Sequence, residues 1–525
     1  MKCYQMSPLS KLRYWTSRLK TFPFFLFALA ATCIIHSRSI TQLPVSKHAW
    51  TQSDWYAISL GFVNNGMDFF HPQTYVLFPL PDGSNDIPKG ITAAGFPVHP
   101  YLAAYLMKLT GYFHPVVFRT LSFLLSLTGL LFFFFALKRY SDNVWLALTG
   151  MCFFLFQPTY AYYQDGFIPS IQSFSHYLIG LFFLSDYISN RKNKTLHFAI
   201  AILFFTIAAL TRLPYLIHLL AILIIILLIS WKNRRFYFYE LILVALGLIM
   251  VSGSILYNRY LAETYGSLFL NHYLPASNIG DFFNCILESV RNNIRTVFPP
   301  VHLLLLVLFG FIVIRSVRQS SLSSDEKIFL NYIAISFLGV FCYIVLMMKQ
   351  FPAHDYYMLD TLCPVIASAF IFGSRYIKFS PGISHQLIIL FFIVGSFNVC
   401  FEYQLRLYSK ERLSLPELQT LNNFEGSDGF LVKQGIPKDR PVLVVGSYEP
   451  NIPFIQLKRQ GFQVRDPKHD DIMEALKMDY ECAITQNSFF SEITAAFPEW
   501  NKMMKSFATN GKITLWHYAV EGSER

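Results

Sequence analysis

Two apolar runs, ILFFTIAALT at residues 202–211 and LLAILIIILLIS at residues 219–230, lie close together in the chain, and LLLLVLFGFIVI at residues 303–314 repeats the pattern. Such runs are typical of membrane-spanning helices, because a helix needs about 20 apolar residues to cross the hydrocarbon core. The composition agrees, since 54% of the 525 residues are hydrophobic and 14% are charged, against roughly 25% charged in ordinary soluble domains. The sequence therefore predicts a multispanning membrane protein and excludes soluble, disordered and fibrous classes.

Further apolar segments of spanning length flank these runs. All eleven segments begin near the following residues: Phe22, Val116, Val144, Ser170, Leu196, Leu213, Tyr237, Phe298, Ile328, Tyr357 and Gln386. They predict a membrane all-α helical bundle of about eleven transmembrane helices. Basic residues cluster in alternate short loops, as at Lys138 and Arg139, and the positive-inside rule makes those loops cytoplasmic. The same clustering accounts for the net charge of +11, so no nucleic-acid partner is predicted.

This orientation divides the chain into three parts. Residues 1–20 are expected to be a cytoplasmic N-terminus, residues 21–402 a transmembrane module with a first outer loop at about 39–115, and residues 403–525 a domain on the outer face. The cytoplasmic loops are too short to form a site. We therefore expect the chemistry of this protein at the outer face of the membrane.

The tail alternates strand and helix patterns. PVLVVGSYE, GFQVRD, ECAITQN and KITLWHYAV predict strands, while NIPFIQLKRQ, DIMEALKMDY and residues 492–507 predict helices. Alternation of this kind favours a small α/β domain with a mostly parallel sheet. The turn after the first strand, VVGSYEPN, has one glycine where the dinucleotide fingerprint needs three, so dinucleotide binding is rejected.

The first outer loop opens with HAWTQSDWYAISLGFVNNGMDFF at residues 48–70. Apolar residues recur there at roughly helical spacing, which predicts an amphipathic helix in the membrane interface with Asp54 near its N-terminus. A carboxylate in that position has two interpretations. It is a functional group at the membrane boundary, or Ser53 or Asp54 simply caps the helix.

Three short stretches combine His, Asp, Pro and aromatic residues in one order along the chain. They comprise His48, Trp50, Gln52, Asp54, Asp68, Phe69, Phe70, His71 and Pro72; then Phe96, Pro97, Val98, His99, Pro100, Tyr101, Lys108, Gly111 and Arg119; then His354, Asp355, Tyr356, Tyr357, Cys363 and Pro364. In this order they resemble the polytopic glycosyltransferases of the GT-C fold, and most of all the bacterial glycosyltransferase family 39 type, relatives of protein mannosyltransferases and of the lipid A aminoarabinose transferase. The resemblance covers roughly residues 22–374.

The resemblance implies a catalytic acidic residue in the first outer loop, and Asp54 is the matching position. Family members often have two adjacent acidic residues there, whereas Asp54 is followed by Trp55, which weakens any transfer of a metal role. Asp165 in QPTYAYYQDGFIPS is the second catalytic candidate, with a solvated turn beside Gly166 as its alternative. We expect Asp54 to be the base, with a pKa raised by partial desolvation.

A lipid-phosphate leaving group needs cations near the membrane boundary. Arg212 in LTRLPY, Arg259 in YNRY, Lys349 and His354 are predicted to bind the donor phosphate. The alternative for each basic residue is an interfacial anchor that snorkels to the headgroups. Arg212 is the strongest candidate because it lies in a very short turn, and because guanidinium matches phosphate oxygens in a bidentate manner.

The remaining polar and aromatic residues of the three stretches are predicted to line the substrate cavity. They are His48, Trp50, Gln52, His99, Asp355, Tyr356 and Tyr357. An aromatic belt at headgroup level is the alternative for Tyr356 and Tyr357. No metal ligand and no certain cofactor are assigned: Asp54, His48 and His99 are of types that bind divalent metals, but they are far apart in sequence and lack local ligand spacing. Cys285 and Cys482 lie on the same side of the membrane, so a bridge between them stays open.

These observations predict an integral-membrane glycosyltransferase in a bacterial inner membrane. Its expected reaction transfers a monosaccharide, with inversion, from a polyprenyl-phosphate sugar to a glycan, lipid or protein acceptor at the outer (periplasmic) face. One alternative is transfer of a preassembled oligosaccharide, although the WWD motif expected for such enzymes does not occur in the sequence. Another is a transporter of lipid-linked sugars, which would place polar residues in the centres of the spans.

Overall fold

The architecture comes from a computed structural model that describes residues 23, 26–78, 89–189, 194–269, 272–377, 383–409 and 415–519. The predicted cytoplasmic segment, residues 1–20, lies outside the described residues. Each of the eleven apolar segments forms helix within the described part of the chain. The helices of the membrane module are α1 Leu26–His36, α2 Ala49–Asn64, α3 Val98–Thr110, α4 Pro115–Ser141, α5 Val144–Leu155, α6 Pro158–Gln164, α7 Ser170–Ser189, α8 Lys194–Thr211, α9 Leu216–Asn233, α10 Phe238–Tyr265, α11 Ile279–Ser289, α12 Arg295–Val297, α13 Pro300–Arg318, α14 Ser324–Leu346, α15 Tyr356–Ser374 and α16 Ile383–Leu407.

Seven described helices are long and apolar enough to cross a membrane, which makes the chain an integral membrane protein. The pair α5 and α6, bent by 72° at Phe156 and Gln157, makes an eighth span if it is counted as one. The apolar helices α1 and α8 are shorter than a full span. The predicted helical bundle is therefore confirmed, and seven or eight of its helices meet the spanning criterion by length and composition.

The centre of the bundle is formed by α4, α7, α8 and α15. Among the seven candidate spans, α15 is the most enclosed, with 78% of its apolar stretch buried. Close packing there depends on a small residue, because a Cβ at Gly129 of α4 would come within 2.6 Å of the Ser175 Cα on α7. Helix ends follow the local sequence: Ser323 and Glu326 form a capping box at the start of α14.

Helix α2 differs from the predicted interfacial helix. It begins at Ala49, so neither Ser53 nor Asp54 caps it, and its N-cap residue His48 has the left-handed φ of 53°. Eleven of its sixteen residues are buried, on all sides of the helix. The amphipathic prediction is wrong because the loops and the C-terminal domain cover the side that the sequence pattern left for solvent.

The C-terminal domain is α/β, as predicted. Its helices are α17 Pro416–Phe424, α18 Ser427–Lys433, α19 Ile452–Leu457, α20 His469–Ala475, α21 Phe490–Ala496 and α22 Trp500–Met503. Its strands are β1 Val442–Val445, β2 Gly461–Val464, β3 Ala483–Gln486, β4 Met504–Thr509 and β5 Ile513–Tyr518, in the order β2-β1-β3-β5-β4.

Two expectations for this domain need correction. The sheet is mixed, because β2, β1 and β3 are parallel but β5 and β4 are antiparallel. The helix predicted over residues 492–507 ends at Met503, and the chain continues as β4. The reason is tertiary pairing, since β4 and β5 form a hairpin that overrides the local helical pattern. Cys285 in α11 and Cys482 before β3 are both free thiols, so the bridge between them is not formed.

The C-terminal domain is joined to the first outer loop through a sheet edge. Val76 forms a parallel bridge with Gly461 of the edge strand β2. The Leu77 N–H donates to the Gly461 carbonyl at 2.8 Å, and the Gly461 N–H donates to the Tyr75 carbonyl at 3.0 Å. The loop that follows α2 therefore extends the sheet of the C-terminal domain and holds this domain against α2.

Candidate active site

Helix α2 contributes side chains to the lining of two cavities. The first, which we call the arginine cavity, has a volume of about 660 Å³, and its lining includes Trp55, Arg212, Arg259 and Tyr357. The second, the interface cavity, has about 560 Å³, and its lining includes Asp54. Adjacent residues of one helix thus face two different cavities. The Trp55 ring, packed 5.0 Å from the Phe269 ring, lies at the boundary with the arginine cavity.

The arginine cavity combines apolar walls with two guanidinium groups. Apolar lining comes from Leu210 of α8, from Val251 and Ile255 of α10, and from Leu213 and Met347, which lie just before α9 and just after α14. Such a lining suits an isoprenoid chain. The guanidinium groups suit the phosphate at its end, because Arg can donate two parallel hydrogen bonds to phosphate oxygens.

Arg212 occupies the short turn between α8 and α9. Its Nε and Nη2 donate to the Asp360 Oδ2 at 2.8 and 2.6 Å. Its guanidinium carbon lies 5.3 Å from the centre of the Tyr356 ring and 5.5 Å from that of Tyr357. These contacts fix the guanidinium at the cavity wall, and no hydrogen bond to a described residue uses its Nη1. Arg212 can therefore bind an anion without leaving Asp360.

Arg259, on α10, also lines the arginine cavity. It is 76% exposed and donates from Nε to the Glu263 Oε1 at 2.7 Å, one helical turn away. Exposed i,i+4 pairs of this kind contribute little to stability. The Arg259 side chain is thus free to exchange Glu263 for an anionic ligand at small cost.

Asp54 lies at the interface cavity and is 5% exposed. Its Oδ1 accepts a hydrogen bond of 2.7 Å from the Nδ2 of Asn451, in the C-terminal domain. Burial raises the pKa of the Asp54 carboxyl to about 7, and the hydrogen bond from Asn451 opposes this rise. A carboxyl with this pKa can accept a proton near neutral pH, as a general base requires. The raised pKa predicted for Asp54 is confirmed.

The rest of the interface cavity combines polar and apolar side chains and is built mainly by the C-terminal domain. Trp50 of α2 packs beneath the Arg465 guanidinium, which lies 5.3 Å from its ring centre. Gln463, Asp466 and Lys468 add further hydrogen-bonding groups to the lining. A Trp ring beside several polar side chains suits a polyhydroxylated ligand, and here it faces the cavity that also contains Asp54.

Asp355 forms a separate buried cluster at the start of α15. Its Oδ2 accepts from the Lys47 Nζ at 2.8 Å, its Oδ1 accepts from the Tyr163 hydroxyl at 2.8 Å, and His48 Nε2 lies 3.5 Å from Oδ1. Burial alone would raise the pKa of Asp355, but the hydrogen bond with His48 and the charge of Lys47 hold it well below its ordinary value. Asp355 therefore stays ionised and anchors the residues that precede α2.

Asp165 lies in another closed cluster and is 1% exposed. Its carboxylate accepts from the Ser39 hydroxyl at 2.6 Å and lies 3.2 Å from the His36 Nδ1 and 3.5 Å from the Arg119 Nη1. The alternative of a solvated turn is therefore wrong. The described contacts of Asp165 join α1, α4 and α6, and Asp165 does not line either cavity.

Several predicted site residues lie apart from both cavities. Lys349 donates to the Ser277 hydroxyl at 2.6 Å. Gln52 donates to the Tyr162 hydroxyl at 3.0 Å, and His99 lies 3.1 Å from His176 between their Nε2 atoms. His354 stacks on His48 at 5.1 Å. Burial lowers the pKa of His354 to about 4, with a further contribution from the neighbouring His48, so at neutral pH it is uncharged and supplies no cation.

Two important residues were not predicted from the sequence. Asp360 is a carboxylate inside a mostly apolar segment, and a charge in that position is itself a signal of a functional or pairing role. Asn451 has no such signal, because an Asn after a strand is common in turns. Among the described residues, no cluster of three or more His, Cys, Asp or Glu side chains is arranged to hold a metal ion.

Comparison with solved structures defines the class of fold. The chain is similar to ArnT from Cupriavidus metallidurans bound to undecaprenyl phosphate, with 11% identity, a TM-score of 0.61 and coverage of 94% of this chain and 97% of that one. The apo form of the same ArnT gives 12% identity and a TM-score of 0.59, with 95% and 98% coverage.

A second solved structure is more distant. The archaeal oligosaccharyltransferase AglB from Archaeoglobus fulgidus, in complex with an inhibitory peptide and a dolichol-phosphate, gives 10% identity and a TM-score of 0.51, with coverage of 96% of this chain and 74% of that one. No protein-family model and no curated protein matches the sequence. The chain thus has the GT-C fold that the three motifs implied.

Proposed function

We propose that this protein is an integral-membrane glycosyltransferase that takes a monosaccharide from a polyprenyl-phosphate carrier. The observation that carries the proposal is the position of α2, which presents Trp55 to the arginine cavity and Asp54 to the interface cavity. Donor and acceptor would occupy the two cavities and meet at this helix. The reacting atoms would then lie beside the one carboxylate that α2 contains.

The arginine cavity is proposed as the donor site. Arg212 and Arg259 would bind the phosphate, and the apolar residues of α8, α10 and the α8–α9 turn would bind the polyprenyl chain. The structure of ArnT with undecaprenyl phosphate and that of AglB with dolichol-phosphate support a lipid-phosphate donor for this fold. The charge of Arg212 suits its role, because the phosphate gains negative charge as the glycosidic bond breaks.

The proposed reaction is a single displacement. The acceptor hydroxyl or amine gives its proton to the Asp54 carboxylate and forms a bond to the anomeric carbon. The bond between that carbon and the phosphate oxygen breaks with its electron pair, and the polyprenyl phosphate leaves as an anion. Attack opposite the leaving group inverts the anomeric configuration.

The interface cavity is proposed as the acceptor site, for a glycan, a lipid or a protein side chain. We further propose that residues 21–402 form the catalytic module and that residues 403–525 form a separate domain beside it.

The proposed location of the active site is the outer face of a bacterial inner membrane. A polyprenyl-linked donor agrees with this location, and so does the scarcity of basic residues in the loops on that side of the module.

The test is transfer of radiolabelled sugar from a panel of polyprenyl-phosphate sugars, with membranes that contain equal amounts of folded wild type, Asp54→Asn or Asp165→Asn. Transfer by wild type that collapses in Asp54→Asn supports the proposal, and the active donor names the sugar. Equal transfer by wild type and Asp54→Asn would refute the assigned base. If transfer occurs only from a donor that carries an oligosaccharide, the transferred group is an oligosaccharide and not the proposed monosaccharide.

A second measurement separates donor binding from transfer. Undecaprenyl phosphate alone is titrated against wild type, Arg259→Ala and the matched control Arg406→Ala. Arg406 is also highly exposed and pairs with Glu402 at i,i+4 on α16, but it does not line the arginine cavity. Weaker binding in Arg259→Ala only supports the donor site, whereas equal loss in both variants would indicate a general effect of surface charge.

A further inference from the structure

The C-terminal domain reaches the Asp54 carboxylate through one residue. Asn451 is fully buried and lies immediately before α19. Its Nδ2 donates to the Asp54 Oδ1 at 2.7 Å. This hydrogen bond to the Asp54 carboxylate comes from a residue almost 400 positions later in the chain.

The orientation of the Asn451 amide is determined by its other contacts. Its Oδ1 accepts from the Thr74 hydroxyl at 2.9 Å and from the Val76 N–H at 3.2 Å. Because the Val76 N–H can only donate, the carbonyl oxygen must face it and the NH2 group must face Asp54. Thr74 and Val76 belong to the segment that extends the sheet at β2, where Gln460 also donates to the Thr74 carbonyl at 3.0 Å.

We infer that Asn451 is a positioning residue for Asp54, so that the C-terminal domain completes the active site. This inference rests on the proposed function, in which Asp54 is the base. Donation by Asn451 to Oδ1 orients the carboxylate and leaves Oδ2 for the proton of the acceptor. It also stabilises the ionised form of a carboxyl that burial would otherwise keep protonated.

The surroundings of Asn451 support this assignment. Glu449 lies two residues before it, is 3% exposed, and has no hydrogen-bond partner at Oε2 among the described residues. Burial raises the pKa of Glu449 well above its ordinary value, and the nearby carboxylates of Glu417 and Asp54 raise it further. The surroundings of Glu449 thus favour its neutral form, and Asn451 is the group that donates a hydrogen bond to the Asp54 carboxylate.

The test uses the full-length protein in detergent with Asn451→Ala, Asn451→Asp and the control Thr74→Val. Asn451→Asp keeps the oxygen that Thr74 and Val76 contact but places a second carboxyl against Asp54. Thr74→Val removes a contact that holds the domain and leaves the donor to Asp54 in place. The titration of Asp54 is followed by infrared spectroscopy, with its carboxyl band assigned by its loss in Asp54→Asn.

In Asn451→Ala we expect the pKa of Asp54 to rise by about one unit, because a hydrogen bond to a charged group has about this effect. In Asn451→Asp we expect a larger rise, because two carboxyls then share one proton. The acid limb of the kcat/KM profile should move to higher pH by the same amount. Thr74→Val should leave both unchanged.

An Asp54 pKa that stays at the wild-type value in both Asn451 variants would overturn the inference, even if activity fell, because a merely structural role lowers activity without moving the titration. The infrared measurement needs no sugar transfer. Failure of the proposed function, seen as normal transfer by Asp54→Asn, is therefore distinguishable from failure of the role given to Asn451.

Discussion

Asp54 and Asp165 are both buried carboxyls, yet their surroundings differ in charge. Asp54 has one neutral donor, Asn451, and burial raises its pKa to about 7. Burial acts on Asp165 in the same direction, but the charges of His36 and Arg119 outweigh it and lower its pKa. A carboxylate compensated by cations is a structural anchor, whereas one that is left almost uncompensated and faces a cavity is available for proton transfer.

The largest expected effect separates the two residues by activity. Asp54→Asn should lower kcat by roughly 100- to 10,000-fold, the usual contribution of a general base. Asp165→Asn should leave kcat per folded molecule within a few-fold of wild type. Sugar transfer normalised to the folded fraction measures both. A comparable loss of kcat in Asp165→Asn would contradict the assignment of a catalytic role to Asp54 and a purely structural role to Asp165.

The two substitutions should have opposite effects on stability. The pKa of Asp54 is about 7 in the folded state, above its ordinary value of 3.8. Ionisation of Asp54 therefore lowers the free energy of unfolding as the pH rises from about 4 to 7, and the loss reaches roughly 4 kcal/mol above pH 7. Asp54→Asn should therefore raise the thermal midpoint at pH 8 and have little effect near pH 4. Midpoints measured in detergent at both pH values test this prediction.

Asp165→Asn should instead lower the free energy of unfolding by roughly 3 kcal/mol at neutral pH, because it leaves Arg119 buried without its counter-charge. Since the folded-state pKa of Asp165 is lowered, its stabilising effect is present above the unfolded-state pKa and disappears as the pH falls through the folded value. The same thermal scans at decreasing pH follow this loss. A stabilised Asp165→Asn at neutral pH would contradict the assignment.

The cations can be compared in the same way. Arg119 donates to the Gln42 and Asp165 carbonyls inside its cluster, while Arg212 pairs with Asp360 at the cavity wall. Arg212→Lys should weaken binding of undecaprenyl phosphate by roughly 10-fold, since one bidentate charge-assisted contact is lost. Arg119→Lys should lower the thermal midpoint with unchanged affinity. Equal affinities in both variants would remove Arg212 from the donor site.

Arg259 should have the smallest effect. Its substitution by Ala should weaken binding of undecaprenyl phosphate by about two- to five-fold at low salt and less at high salt, because exposed charges are screened. Titrations at two ionic strengths test this, with Arg406→Ala as the reference. A loss larger than that of Arg212→Lys would mean that α10, and not the α8–α9 turn, provides the main phosphate contact.

Much of the fold could be predicted from local pattern. Apolar runs become helices wherever they occur, because the backbone must satisfy its hydrogen bonds internally in a membrane. The parallel strands β1, β2 and β3 could likewise be predicted locally, from short runs of residues typical of buried strands. The strand β4 was missed because Met504–Thr509 becomes extended only through its pairing with β5.

The candidate site could be predicted only in part. Asp54 is a candidate because the family resemblance implies an acidic residue in the first outer loop, and Arg212 because its residue type and its place in a short turn between two spans suit a phosphate. Whether Asp165 is free or paired depends on Ser39, His36 and Arg119, which are distant in sequence. The same holds for Lys349 and His354, whose partners and burial remove them from the proposed phosphate site.

The sequence by itself determined the membrane class and the helices, since hydropathy is a local property, and its resemblance to the GT-C enzymes singled out Asp54 as the candidate base. Tertiary structure alone decided which carboxylate stays uncompensated, because a pKa depends on burial and on neighbouring charges. It also brought Asn451 to Asp54 through the sheet edge at Gly461. A contact between residues so far apart in the chain has no local signature, and only the packed domains create it.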